Sequence, residues 1–136
     1  MNKKLFTNQI TVNSKQSTVH EILANPQNLL QWVPEVTNVN SSHNVFNITR
    51  TEKAFNQQER IVITQGNNIV NYQSTNGNIE YNITFSLSSD NTKTTIEETV
   101  FMTKLKTPIP INIFTPIAKR AFKINLRHLK SFIELV

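Results

Sequence analysis

The last stretch of the chain, Phe114 to Leu135, is the feature that most limits the fold. Its apolar residues Phe114, Ile117, Ala118, Ala121, Phe122, Leu129, Phe132, Ile133 and Val136 recur at steps of three and four, with cations between them. This spacing predicts an amphipathic helix of roughly six turns, about 30 Å long at 1.5 Å per residue. So long an apolar stripe needs an equally long surface to cover it, and the preceding sequence offers only strands.

Those strands alternate apolar and polar residues, the period of a half-buried sheet. They are expected at Lys3 to Val12, Val36 to Ser42, Val45 to Lys53, Gln57 to Gln65, Ile69 to Thr75, Ile79 to Ser88 and Thr94 to Leu105. Turn residues separate them: Ser42-His43-Asn44, Ala54-Phe55-Asn56, Gly66-Asn67-Asn68, Asn76-Gly77-Asn78 and Ser89-Asp90-Asn91, of which Asn76-Gly77 is the clearest hairpin signal. Between the first two strands the period changes. Ser17 is placed to cap a short helix carrying Val19, Ile22 and Leu23; Asn25-Pro26 interrupts it and opens a second one through Leu29, Leu30, Trp32 and Val33, which Pro34 ends. A loop punctuated by Pro108, Pro110 and Pro116 leads to the terminal helix. The expected fold is therefore α+β: one domain over residues 1–136, with a seven-stranded antiparallel sheet curled by its natural twist around the C-terminal helix and two short helices between strands 1 and 2. A sheet bent around one rod leaves space between them, and that space is the candidate binding site.

Composition narrows the chemistry. No apolar run reaches the 18 or more residues of a membrane span, and Met1 to Phe6 turns polar at Thr7-Asn8-Gln9 without the apolar core of a secretion signal, so a cytoplasmic protein is expected. The absence of cysteine excludes disulfides, thiol catalysis and thiolate metal sites. His20, His43 and His128 stand apart with no metal-ligand spacing; there is no G-x-S-x-G elbow, and two glycines cannot make a phosphate loop. Hydrolase, kinase and dinucleotide readings lack support, and neither metal nor cofactor is expected. The formal charge of +5 is concentrated after Lys104, and Lys119, Arg120, Lys123 and Arg127 form a basic surface on the last helix. A helix with one buried face must charge the other, so solvation is favoured over a nucleic-acid, ribosome or anionic-membrane partner.

The stretch Val19-His20-Glu21-Ile22-Leu23-Ala24-Asn25-Pro26-Gln27-Asn28-Leu29-Leu30-Gln31-Trp32-Val33-Pro34 resembles the opening of the START-like (SRPBCC) superfamily, the Bet v 1-like helix-grip fold, where a strand leads into V-x-x-x-L-x-D-P-x-x-x-x-x-W-x-P. Asn25 replaces the usual Asp, and both residue types can cap a helix. Element order agrees over essentially the whole chain, and the nearest likeness is to the bacterial polyketide cyclase/dehydrase-like group. The resemblance implies a hydrophobic cavity without a required cofactor. It does not imply cyclase activity, since no cyclase motif is recognisable.

Several residues are candidates for the cavity wall. Asn125 falls on the helix's apolar stripe, where its amide meets either a ligand or a neighbouring strand. Glu98 alternates with Ile96, Val100 and Met102, which would turn it inward as a pocket carboxyl, but Glu97 is adjacent and a bulge or a one-residue slip exposes it, so pairing with a helix cation at the surface is favoured. Trp32 closes one end of the core with its indole N–H hydrogen-bonded or else touches ligand. Tyr81, Ile83 and Phe85 share one face of the sixth strand, and Tyr81 is the best candidate for a pocket hydroxyl; Tyr72 is weaker. Phe46 and Ile48 are in register with Arg50, a rim cation or an ordinary strand-end residue, and Ala118 and Phe122 face the sheet from the helix. The expected function is noncatalytic binding or carriage of a small lipophile such as a lipid, quinone, isoprenoid or polyketide-like aromatic. The alternatives are a cyclase/dehydratase-type enzyme using Glu98, Tyr81 or Asn125, and a module binding RNA, ribosome or membrane through the basic helix. Either a monomer or a homodimer formed through an exposed edge strand is compatible with this pattern.

Overall fold

The computed structural model describes residues 3–136. Strand β1 (Lys3–Val12) leads into helix α1 (Gln16–Ala24), a 3-10 turn over Pro26–Asn28 and the single-turn helix α2 (Leu29–Trp32). Strands β2 (Val36–Ser42), β3 (Val45–Arg50), β4 (Gln58–Gln65), β5 (Ile69–Thr75), β6 (Ile79–Asp90) and β7 (Lys93–Leu105) follow, and helix α3 (Ile111–Leu135) ends the chain. The seven strands form one antiparallel sheet in the order β1-β7-β6-β5-β4-β3-β2. β1 is thus carried across to pair with the last strand, and the sheet wraps α3.

The hairpin turns reveal how a chain with only two glycines makes them: His43, Asn76 and Asn91 take positive φ of 58°, 69° and 57°. His43 and Asn91 sit in two-residue connections, between the pairs Ser42–Val45 and Asp90–Lys93. Asn tolerates this region because its short side chain bonds locally. Gly77 has a different reason to be glycine. A Cβ there would come within 2.5 Å of Asn56 Cγ, so it makes room for a neighbouring side chain.

Three local expectations are corrected and one holds. α1 begins at Gln16 with Lys15 at its cap and no side-chain cap bond, so Ser17 lies inside the helix. Asn25 does cap, its Oδ1 accepting from Gln27 N at 3.1 Å at the start of the 3-10 turn. The third strand stops at Arg50, three residues before Lys53, and the chain then loops to Gln58. α3 starts at Ile111 and contains Pro116, a residue expected in the loop; a proline in the second turn gives up one i→i−4 bond, close to the end of the helix that has few such bonds to lose.

Phase matters more. The centre of the buried stripe of α3 is Leu126, with Phe114, Ala118, Leu129 and Ile133, whereas Asn125 is half-buried and Ile117 is exposed. One residue is 100° of helix, and that step moves Asn125 from the base of the stripe to its shoulder. The helix is tied to the free edge of the sheet: Lys123 Nζ donates to the Gln9 carbonyl, and Lys130 Nζ to the Thr11 carbonyl at 2.9 Å. Two cations of α3 therefore cap carbonyls of an edge strand that would otherwise be open to another chain. No helix among the described residues is long and apolar enough to cross a membrane.

Candidate ligand cavity

Between α3, α2 and the concave face of the sheet lies a cavity of about 410 Å³. It exists because the sheet is wider than one helix. α3 packs toward β1, α2 toward β2 and α1 against part of β4 to β7, and the cavity is the space these contacts leave between them. The apolar wall is supplied by Phe6 of β1, Leu29 and Trp32 of α2, Ile61 of β4, Ile79 and Ile83 of β6, Val100 of β7, and Phe114, Ala118 and Phe122 of α3. The mouth is apolar too: Ile117, Ile124 and Phe55 line it at 50%, 38% and 41% exposure. Phe55, in the loop after β3, meets Phe114 edge to face at 5.1 Å between ring centroids.

Two polar arrangements interrupt the wall. The first is centred on Glu59, whose side chain is wholly buried. Its Oε1 accepts from Arg50 Nε at 2.7 Å and contacts Arg50 Nη2 at 2.5 Å; its Oε2 accepts from Ser74 Oγ at 2.5 Å, Tyr81 OH at 2.9 Å and Asn56 Nδ2 at 3.1 Å. Burial pushes this carboxyl upward, but the Arg50 guanidinium and the hydrogen bonds from Ser74 and Asn56 outweigh it and hold Glu59 below the usual carboxylate range. Arg50 reaches a second carboxylate, with Nη1 at 2.5 Å from Glu35 Oε1. Asn56 also spans the backbone of Ile79, donating to its carbonyl and accepting from its N–H, both at 2.8 Å. Arg50, Tyr81, Asn56 and Glu35 face the cavity, with Glu59 behind them.

The second arrangement surrounds Phe85. Glu98 is its cross-strand partner on β7, and Trp32 and Tyr72 meet its ring edge to face at 6.3 and 5.2 Å. Glu98 is 1% exposed and lies in regular register, so the bulge that would have exposed it is absent and it has no cationic partner within salt-bridge distance among the described residues. Its carboxyl accepts a long bond from Asn8 Nδ2 at 3.5 Å, an amide that also donates to the Lys119 carbonyl at 3.1 Å. Burial raises Glu98 to about 8, with Asn8 and Lys123 opposing the shift. Near neutral pH it is largely a neutral acid. Tyr72 OH donates to the Leu23 carbonyl at 2.5 Å. The Trp32 indole N–H, expected to be paired, is buried without a partner among the described residues.

Of the residues the sequence singled out, Trp32, Tyr81, Ile83, Glu98, Val100, Ala118, Phe122 and Asn125 line the cavity. Phe46, Ile48 and Phe85 do not. Phe85 is roofed by Trp32 and Tyr72, while Phe46 and Ile48 lie on β3, one strand from the β2 edge, where α2 covers the sheet. Lys119, Arg120 and Arg127 are exposed, and Lys123 is partly buried against β1. Clusters of metal-binding side chains are absent among the described residues.

No family model and no curated protein matches the sequence. Solved structures do. A START superfamily protein from Mycobacterium smegmatis superposes with a TM-score of 0.81 over 96% of this chain and 97% of that one, at 13% identity. This chain has the START-like helix-grip fold. Norcoclaurine synthase from Thalictrum flavum matches with a TM-score of 0.64, 14% identity and coverage of 96% and 88%, and Ara h 8.0201 with 0.66, 10% and 98% of both chains. At such identities the likeness shows the START-like fold alone.

Within this helix grip, the residues that sequence reasoning missed are Glu59, Asn56, Ser74 and Glu35. Glu59 carried a signal: it alternates with Ile61 on β4 just as Glu98 does with Ile96 and Val100. Asn56 carried none, because its role depends on the β3–β4 loop folding back onto Ile79.

Proposed function

We propose that this chain binds and carries a small hydrophobic molecule in the cavity between the sheet and α3. The observation that carries the reading is the cavity itself. Protein interiors are packed to the density of organic crystals, and about 410 Å³ left unfilled behind an apolar mouth lies within the ordinary range of ligand pockets. At a packing density of about 0.74 it takes on the order of 300 Å³ of molecule, the bulk of a medium-chain lipid or a compact polycyclic. Native mass spectrometry of gently purified protein, beside its denatured mass, tests the reading. A stoichiometric lipophile is expected. The reading fails if the protein is found empty and the fluorescence of Trp32, its single tryptophan and part of the cavity wall, responds to no member of a panel of fatty acids, esters, isoprenoids and aromatic polyketides.

A second reading, catalysis in the same cavity, is favoured by one observation: a carboxyl protonated near neutral pH faces the space a substrate would fill. Glu98 would serve as general acid, with Tyr81 or Asn125 orienting the substrate, in the manner of a cyclase or dehydratase. The structural likeness to norcoclaurine synthase supports this second reading. Replacing Glu98 by Gln separates the two, since a catalyst loses turnover while a carrier keeps its ligand. The basic face of α3 supports a nucleic-acid or ribosome partner less well, because Lys123 is already engaged with β1; RNA binding that fell steeply with salt would revive that partner.

A further inference from the structure

The polar groups around the cavity bear on which lipophiles it accepts, an inference that rests on the binding reading above. Arg50 is the buried cation of the wall, and it is fully committed. Its guanidinium contacts Glu59 and Glu35 and lies 3.4 Å from the Tyr81 hydroxyl oxygen. One guanidinium held by two carboxylates has no free positive charge to offer an anion at that end of the cavity. The Tyr81 and Tyr72 hydroxyl protons are spent on Glu59 and on the Leu23 carbonyl. The cation and hydroxyls a carboxylate head would need inside are therefore already occupied.

The other end offers donors without charge. Glu98 and Trp32 both flank Phe85, and both line the cavity. Glu98 lacks a cationic partner, so burial keeps its proton in place, and a carboxylic acid presents an O–H that an acceptor can take up. The N–H of Trp32, whose ring also meets Phe85, has no protein partner among the described residues. An unpaired buried donor costs about 1–3 kcal/mol, a penalty that an acceptor reaching this end would relieve. At the mouth, Lys53 and His128 are exposed, so whatever attraction they exert on an anion is screened by water.

We infer that the cavity selects uncharged lipophiles whose buried polar end is a hydrogen-bond acceptor, such as a ketone, ester or quinone-type carbonyl, received by Glu98 and Trp32, and that it discriminates against carboxylates of the same bulk.

Methyl decanoate and decanoate make a matched pair of probes, differing in the head group and hardly in size. Titration of each into the full chain, read by Trp32 fluorescence and by calorimetry near neutral pH, is expected to show the ester binding at least about ten-fold more tightly, the worth of one good hydrogen bond. Ester affinity should fall several-fold by about pH 9, as Glu98 ionises, and stay level in Glu98→Gln, whose amide still donates. The groups facing Glu98 are Asn8 from β1, Tyr72 from β5, and Lys123 with the Lys119 carbonyl from α3. Of these, Tyr72 is held protonated well above its usual range by burial and by Glu98, so it stays neutral over the titration. If decanoate binds as tightly as the ester or more so, the head-group inference falls while the binding reading stands. If neither probe nor any other lipophile binds, both fall.

Discussion

Replacing Glu98 by Gln should make the protein more stable, and only above a definite pH. In the folded chain this carboxyl keeps its proton up to about pH 8, against an ordinary value of 4.5. Between those limits the folded state binds more protons than the unfolded one, so stability falls as pH rises through this window and levels off above it. At about 1.4 kcal/mol for each pH unit, the gap between 4.5 and about 8 amounts to roughly 4–5 kcal/mol, an upper figure because real buried sites relax and admit water. Gln has nearly the same shape and never ionises. Urea denaturation of both proteins at about pH 5, 7 and 9 should show a Gln advantage under about 1 kcal/mol at the lowest pH, where folded Glu98 is neutral and the pH has only just passed the unfolded value of 4.5, widening to a few kcal/mol at the highest. Parallel curves across the range would refute the claim that Glu98 is buried without a countercharge.

Three further outcomes test the rest of the structure. Glu59→Gln leaves the Arg50 guanidinium with Glu35 alone at the surface, and should cost about 3–5 kcal/mol in thermal or denaturant unfolding; because Glu59 is held below its usual range, wild-type stability from this group is present above its unfolded value and is lost as pH falls through the folded one. Gly77→Ala drives a methyl into Asn56 and should break its two bonds to Ile79, costing about 2–3 kcal/mol; combined with Asn56→Ala the effects should fall well short of additive. Leu126→Ala should cost about 2–5 kcal/mol, and Asn125→Ala under about 1 kcal/mol, which places the centre of the α3 stripe by unfolding measurements alone.

Much of this architecture was legible because it rests on periods. Alternation marks each strand through its own residues, the three-and-four spacing marks α3, and Asn25-Pro26 marks the break between the short helices, so the element order and the curled sheet follow from local chemistry. The same alternation set Tyr81, Ile83 and Val100 on the concave face and offered Glu98 an inward place, although exposure was favoured for it and the structure buries it. What remained open there was a single register step, which only the pairing of β7 with β1 and β6 decides.

Other features belong to no local pattern. The phase of α3 differs from the reading by one residue, because an apolar stripe rich in Ile, Ala and Phe is wide enough to be centred on either Asn125 or Leu126 until the sheet selects a side. The Arg50–Glu59–Glu35 group joins α2's exit to β3 and β4, and Asn56 reaches Ile79 across 23 positions of sequence. No side chain announces such partners in advance, since a strand residue's neighbours are set by which strands lie beside it. The cavity is the extreme case. Its volume is the difference between the sweep of a seven-stranded sheet and the girth of the helices laid on it, a quantity that no residue carries and that only their assembly creates.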